Sequence, residues 1–487
     1  MTHHGNVGNV YQHTGNSSRY LRHRTLGQRF PAQRVGFFAV CLAYCMIILD
    51  GSVLNVAVPA IRHDMHTSMA SVQWVLDAYT LPLAGLLLTA GVLGDRFGLR
   101  RMLLAGTVVF TAASAACACA PDTRALIAAR AVQGVGAAAL LPATLALIPH
   151  MFDSAAARAR AAVVWVAAGS LSVAAGPLVG GFLIDAFGWR SIFVINLPLG
   201  VLSVLLARRT VPETPTVRVP LDRAGQVSGV AALGLATAGL ILGGGEGWGA
   251  PATIGLLCAG AVAAACFVRV ERSAEKRGRP PMVPLSFFCL RVRAAAVLSA
   301  GLMGFTFYGT LLAMSVYFQQ VRDYSPGAAG LALLPLTAGS AIGPLLLYRR
   351  LSERYGHAAM LLSGFACAAA GSAVLGLITV SGSYPVAFAG LLLVGGASTI
   401  SFSALTSLLM QHVPAEHSGL ASGLQNTTRQ SGALVAVSVI GSVLNAADPS
   451  GRMAASFVIT GVAAIIGVTC GVLALRSGTS ASATSRT

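Results

Sequence analysis

Residues 91–103 read GVLGDRFGLRRML, and residues 348–361 read YRRLSERYGHAAML. Set side by side, Asp95 faces Glu353, Arg96 faces Arg354 and Gly98 faces Gly356. Each string is a short charged loop between two long uncharged stretches. A charged loop recurring at the same place in two series of apolar runs marks two parallel repeats of about six helices each. Two such repeats, related about an axis along the membrane normal, are one of the standard layouts of a helical transporter.

Outward from these loops the chain is apolar. Of 487 residues, 55% are hydrophobic and only 10% charged, with a mean hydropathy of +0.73, whereas a soluble domain carries about 25% charged residues. Many of the uncharged stretches exceed the roughly 20 residues a helix needs to cross a bilayer. The fold class is therefore an all-α polytopic membrane protein. Apolar runs delimit fourteen transmembrane helices between residues 35 and 475. The repeated loops join spans 2 to 3 and 10 to 11, which leaves spans 7 and 8 as two inserted helices. The expected organisation is a basic tail (1–34), a six-helix half (35–208), the insert with its linkers (209–293), a second six-helix half (294–475) and a tail (476–487).

The 33 basic residues against 16 acidic ones give a formal charge of +17. They fall in alternate loops, so the excess orients the chain in the membrane and does not form a nucleic-acid surface. With both termini cytoplasmic, only Arg62, Arg124, Arg190, Arg322 and Arg452 lie outside, and Arg130 and Arg429 within spans. The expected location is the cell inner (plasma) membrane, multi-pass. Lys276 is the only lysine, in ERSAEKRGRP, with no Gly-rich turn before it. A phosphate-binding loop and Schiff-base chemistry are both excluded. Eight of the nine cysteines sit in apolar runs and none has zinc-like spacing, so neither a metal nor a cofactor is expected. No Ser/His/Asp set or paired-carboxylate motif supports an enzyme.

Three motifs carry a family resemblance. GVLGDRFGLR (91–100) is similar to the loop motif G-x-L-a-D-r-x-G-r-k. RAVQGVGAAALLPA (130–143) resembles R-x-x-q-G-x-g-a-a of a fourth span, and GSLSVAAGPLVGG (169–181) resembles the antiporter motif g-x-x-x-G-P-x-x-G-G of a fifth. With LDGSVLNVAVP (49–59) in the first span and NTTRQSGALVAVSVIG (426–441) near the end, the chain resembles the fourteen-span drug:proton antiporters of the major facilitator superfamily over nearly all of residues 35–475. Within that family it is similar to actinobacterial exporters that protect a producer from its own antibiotic.

The resemblance implies a proton-coupled antiporter that exports amphipathic small molecules by alternating access between its two halves. Its partners would be a drug or antibiotic, protons and membrane lipid, and it would act as a monomer. The competing reading is a facilitator or proton-linked transporter of an endogenous polar metabolite. A GP-type fifth span and few charged groups inside the membrane point away from import.

The residues themselves suggest how such coupling would work. Arg130 lies inside a span of small residues, where an ionisable group is costly unless it is partnered. Asp50 in the first span is the expected partner, at a depth differing by roughly 6 Å, which a long Arg side chain bridges. Asp77 in WVLDAYTLPLAG reads either as a second proton or cation site or as a helix-end carboxylate at the membrane interface. Gly91, Asp95, Arg96 and Gly98 form the conformational loop, with Asp95 and Arg96 as a charge pair locking the two halves. Gly176, Pro177, Gly180 and Gly181 form a helix break and close-packing face. For the substrate cavity the candidates are Trp165, Gln133, Asn426 and Arg429. Arg429 reads equally as structural or functional, with Gln425, Asn426 and Gln430 near enough in sequence to satisfy its donors.

Overall fold

The computed structural model describes residues 26–216, 221–343, 348–413, 418–445 and 449–484. Among these residues the chain is all-helical, with no strand. The long elements are α1 (Leu26–Asp64), α2 (Met69–Phe97), α3 (Leu99–Ala118), α4 (Thr123–Ala146) and α5 (Ala155–Phe187), followed by α6 (Ser191–Thr210). Next come α7 (Arg223–Glu246), α8 (Pro251–Lys276) and α9 (Arg291–Val316), the last extended by a π-helical turn, Tyr317–Val321. A two-piece α10 (Pro326–Ala332 and Leu334–Gly343) precedes α11 (Arg349–Gly376), α12 (Tyr384–Gln411), α13 (Ser418–Leu444) and α14 (Pro449–Thr484).

Twelve helices among the described residues are long and apolar enough to cross a membrane. The two expected spans outside that set differ for separate reasons. The run expected at 327–347 is described only to Gly343 and is split at Leu333. The run expected at 418–445 forms a 27-residue helix, but Gln425 to Gln430 give it six consecutive polar residues. Polar groups inside a span face protein or water and not lipid, and several of these do so here. Of the tails expected at 1–34 and 476–487, residues 1–25 and 485–487 lie outside the described residues, while 26–34 begin α1 and 476–484 end α14.

Capping residues start the helices where the sequence supplies an acceptor. Ser68, Asp122, Ser154, Asp222 and Ser325 each accept a backbone N–H from the first turn of α2, α4, α5, α7 and α10, satisfying donors that would otherwise be orphaned. The repeated loops turn in one way. Gly98 has φ +94° and ψ 132°, and Gly356 has φ +80° and ψ 160°. Only glycine adopts that region without strain, which explains why the two loops share it.

Helices α1–α6 pack principally on one another, as do α9–α14, while α7 and α8 pair together and α7 docks on α2 and α13. Contact between the two sets runs mainly through α2 with α13 and α5 with α10, with a smaller share through α1 with α9 and α10. Three apolar clusters form the core. One is shared by both sets, from Val53, Leu54 and Ile61 across to Leu311, Phe318 and Ile440. The other two are divided, one built by Met46, Leu103 and Leu140 in the first set and one by Met303, Phe365 and Leu405 in the second.

The shared cluster lies at the end of the bundle where α1 finishes and α2 begins, and hydrogen bonds join the sets there as well. Ser315 donates to the Asn55 carbonyl at 2.8 Å and Gln319 to the Val56 carbonyl at 3.0 Å. Asp185 on α5 accepts from Ser325 Oγ and from Gly327 N–H, both at 2.9 Å. At the opposite, arginine-rich end, no hydrogen bond joins the two sets among the described residues. One end of the molecule is thus closed between the sets by hydrogen bonds and a shared apolar cluster.

Candidate functional site

Asp50 and Arg130 meet. Arg130 Nη1 lies 2.5 Å from Asp50 Oδ2, with the residues 1% and 5% exposed. That depth demands further partners, since a buried ion pair is sustained only when its remaining donors and acceptors are also met. They are met. Arg130 Nη1 also donates to Gln133 Oε1 at 2.7 Å, and its Nε donates to the Val75 carbonyl at 3.2 Å. Asp50 Oδ1 accepts from Gln133 Nε2 at 2.9 Å and from Asn196 Nδ2 at 3.1 Å. Ser114 Oγ in turn accepts from both amides, at 2.8 and 3.0 Å. The guanidinium carbon stands 4.2 Å from the centroid of the Tyr79 ring, a cation–π contact.

Residues of five helices, α1, α2, α3, α4 and α6, therefore meet in this network, and α4 and α6 bond the carboxylate directly. Helical spacing sets Gln133 one turn beyond Arg130 on α4, and a break at Ile195 makes Asn196 the first residue of the second piece of α6. Gln133 was expected in the cavity wall, but it is fully buried and belongs to the ion-pair network. Asn196 and Ser114 were not expected at all. Neutral polar residues are common in spans and stand out less than charges; the Asn in INLP was the available signal.

Beside this network a cleft of about 40 Å³ lies between the two helix sets, lined by Tyr79, Thr80 and Arg130 on one side and Tyr308, Gln430 and Val437 on the other. Tyr44 and Trp165 form a stacked pair, ring centroids 3.8 Å apart and planes 15° from parallel. Trp165 Nε1 donates to Thr144 Oγ1 at 3.3 Å. A side chain on Gly169 would run into the Tyr44 ring, so the first glycine of the fifth-span motif makes room for this stack.

Asp77 is fully buried between α2 and α13, not set at a helix end in the membrane interface. Its Oδ2 accepts from Ser438 Oγ at 2.9 Å, and its Oδ1 has no partner among the described residues. The expected lock between Asp95 and Arg96 does not form. Both are exposed, with Arg96 over the ring of its neighbour Phe97. The loop is instead tied to the segment after α6. Leu99 N–H donates to Thr214 Oγ1 at 2.8 Å, Arg100 pairs with Glu213 at 2.6 Å, and Arg100 also reaches the Arg208 carbonyl. A Cβ added at Gly91 would meet nothing within 4 Å.

The fifth-span motif shows the close packing it was read for without the helix break. α5 runs unbroken through Pro177. Its glycines serve close approach: Cβ atoms on Gly176 and Gly180 would strike Ser52 and Val53 of α1, and one on Gly181 would strike the Pro326 carbonyl of α10. From the other side, Gly330 abuts the Pro177 carbonyl. Asn426 is bonded within its own helix, to the Ser422 carbonyl at 3.1 Å. Gln425 bonds Thr406 at 2.7 Å, and Gln430 Oε1 is unpartnered, so none of the three satisfies Arg429.

Comparison with known proteins agrees with this geometry. The family model described as Major Facilitator Superfamily matches residues 40–437. The chain is 36% identical over 416 residues to the multidrug resistance protein Stp of Mycobacterium tuberculosis, covering 85% of this chain and 76% of that one. To the tetracenomycin C resistance and export protein of Streptomyces glaucescens it is 32% identical, over 83% of this chain and 74% of that one. The crystal structure of the POT family transporter PepTSo superimposes with a TM-score of 0.66 over 91% of this chain and 98% of that one, at 14% identity, and so shares its fold. A buried charge network beside a cleft between two helix sets, a family match across most of the chain and relatives of this identity lead to one conclusion: the chain belongs to the Major Facilitator Superfamily and is a multi-pass membrane transporter, not an enzyme.

Proposed function

We propose that the chain is a proton-coupled antiporter that exports amphipathic small molecules, antibiotics above all, by alternating access. On this reading it has fourteen spans, with six-helix halves at 35–208 and 294–475 around an inserted pair. The arginine-rich end and both termini face the cytoplasm, as the bias of basic residues toward one side argues. The closed end then faces outward, and the cycle loads its cargo from the cytoplasmic side, as an exporter does. A relative that confers resistance and export, by its name, supports the direction.

The observation that carries the reading is the Asp50 carboxylate. It accepts three hydrogen bonds from three side chains on two other helices while facing the cleft through Arg130. Protonating such a group removes the charge that holds Arg130, Gln133 and Asn196 together, so gain of a proton and rearrangement of the cleft wall are one event. Asp77 is the second proton site. A buried carboxylate with no cation beside it is costly in its ionised form, by several kcal/mol, and its bond to Ser438 spans the two halves. The alternative is carriage of an endogenous polar metabolite, which Asn55, Thr80 and Gln430 on the cleft wall would suit.

The test uses proteoliposomes with an internal pH dye and an imposed proton gradient, challenged with a panel of antibiotics. Compound-dependent proton movement, lost in Asp50→Asn while membrane insertion is retained, is the expected result. Undiminished proton movement in Asp50→Asn would transfer the coupling role to another carboxylate.

A further inference from the structure

The inserted pair of helices carries two acids that the transport mechanism does not use. Asp222 caps the start of α7, where its Oδ1 accepts the Gly225 N–H at 2.8 Å. Glu271, near the end of α8, is fully buried, and its Oε2 accepts at 3.0 Å the N–H of Val283, in the linker that leads to α9. Each acid thus has one oxygen satisfied. The remaining two, Asp222 Oδ2 and Glu271 Oε1, are buried and have no hydrogen-bond partner among the described residues. They converge on one spot, since a Cβ built on Gly225 would collide with both. Only the missing side chain of that glycine lets the two acids meet.

Two ionised carboxylates cannot hold this arrangement. Out of water each needs a cation or a donor, and side by side they repel. The surrounding cations supply neither. Arg223 at the start of α7, Arg269, Arg272 and Lys276 on α8, and Arg277 and Arg279 after it are all exposed, and among the described residues none forms an ion pair with either acid. Glu275, one turn on, adds negative charge and accepts the Ser286 N–H at 3.1 Å. The short helical turn Leu285–Cys289 brings only the exposed Cys289 thiol. From α2 and α13, which pack on α7, the titratable groups are Asp77, Tyr79, Asp95, Arg96 and Arg429, and none of them bonds either acid. We propose that Asp222 and Glu271 hold a single proton between them, and that this proton-binding site clasps the inserted helices to the linker. One acid donates the O–H and the orphan oxygen of the other accepts it, so one proton satisfies both and leaves a single negative charge. The clasp reaches both helix sets. Gln226, next to Gly225, donates to the Gly85 carbonyl of α2 at 2.8 Å, and beyond Val283 the buried Phe287 ring lies 5.3 Å from the Arg293 guanidinium at the start of α9. Loss of the proton charges both acids and drives α7, α8 and the linker apart.

The test follows full-length protein in lipid nanodiscs from about pH 5 to about pH 9, the range over which a carboxyl raised by a like-charged neighbour gives up its proton. Infrared spectra in light and heavy water read the protonated carboxyl. A nitroxide on Cys289, in a background lacking the other eight cysteines, reads the linker. In wild type a protonated-carboxyl band fades as the pH rises, and the nitroxide passes from immobile to mobile with the same midpoint. Asp222→Asn and Glu271→Gln each remove that one band and keep the nitroxide immobile at every pH, because an amide donor takes the place of the proton. Two bands lost separately, one to each substitution, would mean that each acid holds its own proton and would overturn the proposal. So would a band that survives either substitution, a wild-type nitroxide indifferent to pH, or a pH response that persists in Glu271→Gln. Transport enters none of these readouts, so the result stands apart from the antiport reading.

Discussion

The carboxylate of Asp77 takes a 2.9 Å hydrogen bond from the hydroxyl of Ser438, 361 residues further along the chain, and this bond joins α2 to α13 at the closed end. Its other oxygen is unpartnered among the described residues. Asp77→Asn keeps an acceptor for Ser438 and removes the charge that would otherwise have to be hydrated on opening. The expected outcome is a population shifted toward the closed form, with slower export. Spin-label distances between the α1–α2 and α9–α10 loops read that population directly. Distances unchanged from wild type in Asp77→Asn would remove this residue from the gating step.

Arg130 makes bonds from two of its nitrogens, to Asp50, Gln133 and the Val75 carbonyl. A lysine ammonium is a point charge and cannot reproduce that fork. Export by Arg130→Lys should fall at least about tenfold while the protein still inserts, because one lost charge-assisted bond costs about 1.5–3 kcal/mol. Arg130→Ala leaves Asp50 buried without its cation, a loss of about 3–5 kcal/mol, and should lower the thermal midpoint in detergent. Lysine behaving like wild type in the export assay would make the pair a static strut.

Asn196 donates to both Asp50 and Ser114. Asn196→Leu removes both bonds and leaves Asp50 short of one donor, a penalty of about 1–3 kcal/mol. The predicted defect is in turnover, with substrate binding retained. Calorimetric affinity and liposome flux measured on one preparation separate the two quantities. A matched loss of both would mean that Asn196 supports the fold alone.

Asp185 and Ser325 touch across the closed end, Oγ to Oδ2 at 2.9 Å. In a background lacking the nine native cysteines, D185C with S325C should cross-link under mild oxidant. Export should stop on oxidation and return on reduction. Continued export by a fully cross-linked pair would show that this end need not part during the cycle.

Much of this was legible in the sequence because charge inside a membrane is rare. Asp50 and Arg130 stood out for that reason, and their pairing is what the helix arithmetic anticipated. Gly98 and Gly356 were paired by the repeat and share one backbone conformation. What escaped notice was neutral or negative information. Asn196 and Ser114 look like any polar residue of a packed span. Asp95 and Arg96 lie side by side in sequence, yet their helix-end geometry turns both to solvent and hands the pairing to Arg100 and Glu213. Pro177 promised a break, but the surrounding helix continues through it, since neighbouring turns and packed helices absorb a missing donor. The glutamine and asparagine beside Arg429 sit on other faces of α13 and bond elsewhere.

The apolar cluster that both helix sets share has a thermal consequence. In an alternating cycle its halves, with Val53 and Leu54 on one side and Leu311 and Phe318 on the other, must separate and meet water. Wetting apolar surface carries a positive heat capacity. The conformational step therefore has an enthalpy that changes with temperature, and its Arrhenius plot is curved even where the chemistry of proton transfer is not. Cooling weakens the attraction that keeps the end shut, so the two directions of the cycle respond to temperature with different slopes.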